Sequence, residues 1–248
     1  MVVFVKYTYI FAVGSVVGWL VELLYRHFVS NPKVNGKRKW VNPGFLTGPY
    51  LPLYGFSSCI LYLLSGLDSY ISIDNSVLRI IVLLVMMAIC ITVIEYIAGM
   101  IFIKRMKIML WDYSRNRFNI QGIICPLYSF FWLLLGAFYY FAVYPYFIIT
   151  VEWLFDHIIF GFFVGMFLGV FILDLVQSLQ IMIKIKQFAE DNNVVIIYEE
   201  FKANLRERAE GRISSVRAFI GKHSYQTIYN SLTEYFREKI KNIEKKGK

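Results

Sequence analysis

Three acidic residues lie where acids are scarce. Glu22, Glu95 and Asp174 each sit inside a long apolar stretch of the 248-residue chain. A charge at the centre of a membrane helix costs about 2.5–3.5 kcal/mol on insertion scales, so each needs a partner or a purpose. Two neighbouring carboxylates in a low-dielectric pocket would favour a cation, an amine or a proton. Glu22 follows Gly14 and Gly18 at steps of four, and Glu95 precedes Gly99 by four. Residues at that spacing share one helix face, and small ones let a second helix approach closely. Both glutamates are therefore expected to point into protein. The alternative is plainer: Glu22 pairs with Arg26 one turn on, and Glu95 snorkels toward loop cations. Asp174, followed by Gln177 and Ser178, either joins the same site or hydrogen-bonds across helices.

The two glutamates occupy matching places in what reads as an internal repeat. Trp19-Leu20-Val21-Glu22 is followed by Pro52-Leu53-Tyr54-Gly55-Phe56, and Val93-Ile94-Glu95 by Pro126-Leu127-Tyr128-Ser129-Phe130. The intervals from Glu22 to Pro52 and from Glu95 to Pro126 differ by one residue. Asn42 and Gly44 in the first connection match Asn119 and Gly122 in the second. Two spans per unit give both units the same orientation, a parallel repeat about an axis along the membrane normal.

The elements that must hold these residues follow from composition. Hydrophobic residues are 58% of the chain and charged residues 17%; the mean hydropathy is +0.54. Ordinary soluble domains are about 45–50% apolar and about 25% charged, so the expected solvent is a bilayer. A disordered, collagen-like or coiled-coil chain is excluded. Five apolar stretches stand out: about 4–25, 50–67, 77–103, 120–144 and 158–183. A helix needs roughly 20 residues to cross about 30 Å of hydrocarbon, and the second stretch is short. The expected fold is all-α and polytopic. Two tandem helical hairpins in parallel repeat (about 4–67 and 77–144) are followed by a fifth transmembrane helix. The transmembrane domain spans 1–185, and 186–248 form a cytoplasmic amphipathic helical tail.

Charge supplies the orientation. Of 26 Lys and Arg, all but Lys6 and Arg79 lie in three places: residues 26–39, residues 104–117 and the chain from Lys184 onward. The segments 68–79 and 144–157, taken as the opposite loops, carry four acids and one Arg. The positive-inside rule puts the basic segments in the cytoplasm, the N-terminus outside and the C-terminus inside, in a bacterial cytoplasmic membrane. The first span lacks a basic n-region and a small-x-small cleavage site, and is expected to stay as an anchor.

Other segments bear on the site. The stretch Asn42-Pro43-Gly44-Phe45-Leu46-Thr47-Gly48-Pro49-Tyr50-Leu51-Pro52 cannot form a regular helix, yet is apolar enough to dip into the membrane. Such backbone is tolerated only against protein or a water-filled cavity, which makes it a candidate re-entrant element. In the second basic loop, Trp111-Asp112-Tyr113-Ser114 places an acid among aromatics. Gly161, Gly165 and Gly169 make two overlapping G-x-x-x-G steps, a helix-packing signal. Cys59, Cys90 and Cys125 form no C-x-x-C pair and read as buried thiols. In the tail, Val194, Ile197, Phe201 and Leu205 suggest one helix, and an apolar stripe from Tyr225 to Ile243 a second.

Enzyme signatures are absent: no G-x-x-x-x-G-K-[ST], no H-E-x-x-H, no G-x-S-x-G. No cofactor, metal or nucleic acid is expected. The first reading is a permease component with a cytoplasm-facing pocket for a small cationic or polar solute. Glu22, Glu95, Trp19, Asn42, Tyr54, Trp111, Asp112, Asn119 and Tyr128 would line it, with Gly14 and Gly18 packing the helices. Loops and tail would meet a separate ATPase or another cytosolic protein, and a homo-oligomer is allowed. The second reading is a scaffold or regulator that recruits a partner through its tail. A third is a lipid-modifying enzyme using Glu22, Glu95 and Asp112.

Three motifs carry a family resemblance: Gly18-Trp19-Leu20-Val21-Glu22; Gly44-Phe45-Leu46-Thr47-Gly48-Pro49 through Pro52-Leu53-Tyr54-Gly55; and Trp111-Asp112-Tyr113-Ser114 with Asn119. Together they resemble the CmpB family, bacterial membrane proteins labelled ABC-transporter permeases, over about Val13 to Trp132. The resemblance implies a polytopic membrane protein that works with an ATP-binding-cassette ATPase. The family pattern has Asn-Arg-Gly-Phe-Leu where this chain has Asn42-Pro43-Gly44-Phe45-Leu46, so an anion-binding arginine is not implied here. The tail lies outside the resemblance.

Overall fold

The computed structural model describes residues 2–30, 33–34, 37–38, 40, 42–191, 195–198, 201 and 233. Six α-helices dominate them: α1 (Val2–Tyr25), α2 (Pro52–Ser65), α3 (Ser76–Ile101), α4 (Pro126–Phe138), α5 (Tyr144–Asp156) and α6 (Gly161–Asp191). Strands β1 (Lys33–Val34) and β2 (Lys37–Arg38) pair antiparallel, while β3 (Ile108–Met109) and β4 (Ile196–Ile197) pair parallel. The stripe from Tyr225 to Ile243 falls outside the described residues, apart from Thr233.

Local sequence explains the helix boundaries. Pro52 and Pro126 open α2 and α4, where a missing N–H costs nothing. Asn75 caps α3, its side chain accepting from the Val77 and Leu78 amides. Along α3, Ile81, Val85, Ile89, Val93, Ile97 and Ile101 are exposed at steps of four. Leu83, Met87, Ile91, Glu95 and Gly99 form the buried stripe on another face. An apolar exposed stripe of that length is suited to lipid, and it leaves Glu95 turned into the protein.

Among the described residues, four helical stretches are long and apolar enough to cross a membrane: Val3–Phe28, Ser76–Met106, Pro126–Asp156 and Gly161–Asp191. The second expected span differs. Its helix, α2, has 14 residues, about 21 Å at 1.5 Å per residue. Prolines 43, 49 and 52 keep the preceding segment out of the helix, and Gly66 caps its end. The expected loop 144–157 is also corrected: Tyr144–Asp156 is helical and continues α4 through a π-helical turn at Tyr139–Val143. Pro145 stands in the first turn of α5, and the wider π turn before it accommodates the proline.

The helices pack as α1 on α2 and α3 on α4, with α2 also against α3 and α1 against α6. Gly14 and Gly18 make the first pairing possible: a Cβ on Gly14 would overlap Ser58, and one on Gly18 the Tyr54 ring. Gly161, Gly165 and Gly169 have no neighbour within 4 Å of a built Cβ, so their face of α6 is open among the described residues. Gly18→Val is therefore expected to cost about 1–3 kcal/mol by overpacking, whereas Gly165→Val should leave the melting temperature of the detergent-solubilised chain nearly unchanged. Equal shifts in the two variants would contradict this packing.

α6 ties the remaining segments together. Asp174, 9% exposed, accepts four hydrogen bonds. Oδ1 receives the Thr47 amide at 3.1 Å and the Ser178 hydroxyl at 3.1 Å; Oδ2 receives the Gly48 amide at 2.8 Å and the Tyr50 hydroxyl at 2.6 Å. Further along, Met182, Ile185, Phe188 and Ala189 pack with Ile108, Ile196 and Phe201 in one apolar cluster. Ile197, expected in a helix, lies instead in β4, because Ile108–Met109 offers it a strand edge and a buried neighbourhood.

Candidate functional site

The C-terminal ends of α1 and α3 bring two carboxylates together with six polar or aromatic partners. Glu22 accepts from Arg26 Nε at 2.8 Å through Oε1 and from the Tyr54 hydroxyl at 3.0 Å through Oε2. Glu95 accepts from the Tyr113 hydroxyl at 3.0 Å through Oε1 and from Trp132 Nε1 at 2.8 Å through Oε2. The two sets interlock. Tyr54 meets Trp132 edge to face at 5.8 Å, Tyr113 stacks on Tyr128 at 4.1 Å, and the Tyr128 and Tyr25 hydroxyls are 3.0 Å apart. From Glu22 through Tyr54, Trp132, Glu95, Tyr113 and Tyr128 to Tyr25, the contacts run in series and return to α1, which carries both Glu22 and Tyr25.

The two carboxylates are not equivalent. Glu22 is half-buried with a cation beside it. Glu95 is 2% exposed, and both of its donors are neutral. The sequence supplies a reason: the position four after Glu22 is Arg26, and the position four after Glu95 is Gly99. A Cβ on Gly99 would overlap the Ile123 side chain, so the loop packs onto α3 at that point. The expectation that Glu95 reaches loop cations is thus replaced by a buried carboxylate held by Tyr113 and Trp132. Tyr113 lies in the connection after α3. Burial, and then the neighbouring Glu95 carboxylate, push its phenol well above the ordinary tyrosine value, so it stays a donor at any working pH.

Of the nine residues expected at the pocket, Glu22, Glu95, Tyr54 and Tyr128 converge here. The other five support the connections. Trp19 Nε1 donates to Asn42 Oδ1 at 2.9 Å, and Asn42 Nδ2 donates to the Leu46 and Thr47 carbonyls. Trp111 Nε1 donates to the Ile123 carbonyl at 2.9 Å. Asp112 accepts the Ser114 amide at 2.8 Å, and Asn119 ties Ser114, Asn116 and Gly122. These Asx-type contacts fix the turn that presents Tyr113. Gly122 has φ +69°, and the Asp112 carboxylate would lie 3.1 Å from any Cβ there. Among the described residues, no group of three His, Cys, Asp or Glu could hold a metal ion.

Tyr25, Tyr113 and Trp132 are the members of this series that spacing did not single out. Tyr113 lies inside the Trp111–Ser114 motif, and Trp132 is one turn beyond Tyr128 on α4, so both stood next to residues already marked. Tyr113→Phe removes one of the two Glu95 donors. A hydrogen bond to a charged group is worth about 1.5–3 kcal/mol. The expected result is a melting-temperature drop; an unchanged melting curve would argue against this hydrogen bond.

Apolar helices of membrane-crossing length and carboxylates turned inward define the class: a multi-pass helical membrane protein. A family model described as "Putative ABC-transporter type IV" (ABC_trans_CmpB) matches residues 9–179. The chain belongs to this family. No curated protein and no solved structure matches it.

Proposed function

We propose that the chain is the membrane-spanning component of a transporter, binding a small cationic or polar solute at a cytoplasm-facing pocket built on Glu22 and Glu95. The observation that carries this reading is Glu95 itself. It is a buried carboxylate beside a second one, held by two neutral donors, and among the described residues no cation is hydrogen-bonded to it. Glu22, already matched by Arg26, positions Tyr54 and screens the mouth. Segment 42–51, with Leu46 and Tyr50 buried and its backbone held by Asp174, supports a re-entrant path that α2 completes. That path keeps 24 of 26 basic residues on one side, with the N-terminus outside and the C-terminus in the bacterial cytoplasm. The two hairpins are read as a parallel repeat. An ATP-binding-cassette ATPase would dock on the cytoplasmic loops.

The scaffold reading draws support from β4 and Phe201, which seat the start of the tail on the loop after α3. The two readings separate in one uptake assay on membrane vesicles. The first expects Glu95→Gln to abolish uptake at normal expression while a chain ending after Phe201 still functions. The second expects the reverse. Ending the chain before Phe188 would confuse the test, because Phe188, Ala189 and Ile196 belong to the apolar cluster.

A further inference from the structure

At the far end of the helices from the glutamates, a cleft of about 550 Å³ opens between the end of α2, the start of α3 and the junction of α4 with α5. Ile80 lines it, and Glu95 lies 15 residues further along α3, about 22 Å at 1.5 Å per residue. The cleft is therefore separate from the carboxylate pair. Ser65, Asp68, Tyr140 and Tyr144 supply its polar and aromatic lining; Ile80, Phe141, Pro145 and Ile148 supply its apolar walls.

One atom there is unexplained. The Ser65 side chain is 3% exposed, and its hydroxyl oxygen has no hydrogen-bond partner among the described residues. A buried hydroxyl left unpaired is costly, and a ligand group reaching it from the cleft would remove that cost. The neighbouring groups say what kind. Asp68 is a carboxylate, and the segment from Asp68 to Arg79 holds two acids and one base. Tyr62 and Tyr144 meet edge to face at 5.4 Å, and Lys6 Nζ lies 4.5 Å from the Tyr62 ring centre, so this aromatic cluster already holds one ammonium on its face.

We infer that this cleft binds the ammonium end of a primary alkylamine, with the alkyl part on its apolar walls. The N–H groups reach Asp68 and the Ser65 oxygen, and the tyrosine faces take the rest of the charge. Arg79 Nε, 3.1 Å from Asp68 Oδ1 and outside the lining, is the rival cation for the same carboxylate. This inference stands independently of the proposed role of the glutamates.

The test is a ligand-observed NMR titration of the full chain in lipid nanodiscs at pH 7, with butylamine as probe and butan-1-ol as its neutral isostere. Butylammonium should bind at least about tenfold more tightly than the alcohol. Asp68→Asn should weaken it about tenfold, and Arg79→Gln should tighten it severalfold by removing the rival. Asp68 and Arg79 acting only as a structural ion pair would make both variants weaken binding, which overturns the inference. Equal binding of the alcohol, or no saturable binding, overturns it too. Should Asp68→Asn fail to fold, Ser65→Ala decides: severalfold weaker binding supports the cleft, and unchanged affinity refutes it. Binding that survives these variants but vanishes in Glu95→Gln belongs to the glutamate pocket and also refutes it.

Discussion

Asp174→Ala is expected to be the most damaging single substitution for stability, by about 3–5 kcal/mol. The carboxylate accepts four hydrogen bonds at 2.6–3.1 Å from Thr47, Gly48, Tyr50 and Ser178. Removing it strands the Tyr50 hydroxyl, which lies at a 5%-exposed residue, and leaves two amides of a segment that no helix or strand can satisfy. Each buried donor left without its acceptor costs about 1–3 kcal/mol, and several are stranded together here. Asp174→Asn keeps one acceptor oxygen and should lose roughly half. Thermal unfolding of the detergent-solubilised chain checks both. If alanine and asparagine behave like wild type, residues 42–51 are held by something other than α6.

Glu95→Gln should have the largest effect on function with little effect on folding. Glutamine preserves shape and one acceptor oxygen for the Tyr113 or Trp132 donor, and it removes the charge. A close pairing between a buried charge and a bound cation is worth about 2–5 kcal/mol. At about 1.4 kcal/mol per tenfold, affinity should fall roughly 30- to 4,000-fold. Glu22→Gln should fall less, because Arg26 already offsets Glu22 and the variant loses the ion pair as well as any ligand. Equilibrium binding or uptake in vesicles, compared at matched expression, reads both. A larger effect at Glu22 than at Glu95 would reverse the assigned roles.

Much of this arrangement could be read from residue types. Glu22 and Glu95 stood out because a carboxylate in an apolar helix is expensive, and Tyr54 and Tyr128 because Pro-Leu-Tyr recurs at a matching distance. The glycine steps before Glu22 marked the face that α2 covers. Tyr25, Tyr113 and Trp132 were hidden for a physical reason. In a chain that is 18% aromatic, such residues are as easily lipid-facing as buried. What distinguishes these three is the partner each meets: Tyr25 reaches Tyr128, 103 residues away, and Tyr113 and Trp132 both donate to Glu95. Asp174 was ambiguous likewise, since three of its four donors lie 124–127 residues upstream. Residues 144–157 read as a loop because Glu152 and Asp156 interrupt the apolar run, whereas Pro145 in fact stands in the first turn of α5, where a proline is tolerated. The glycines of α6 carried a packing signal that no described neighbour answers, whereas the same signal in α1 is answered by Tyr54 and Ser58.

The most direct test of the central claim is a density map of the full chain, purified from growing cells into lipid nanodiscs, compared with the same preparation of Glu95→Gln. The expected result is non-protein density within hydrogen-bond distance of the Glu95 carboxylate, about 2.7–3.2 Å, that is absent from the variant. Identical maps, with Tyr113 and Trp132 closed over residue 95 in both and the variant still taking up solute at the wild-type rate, would contradict it.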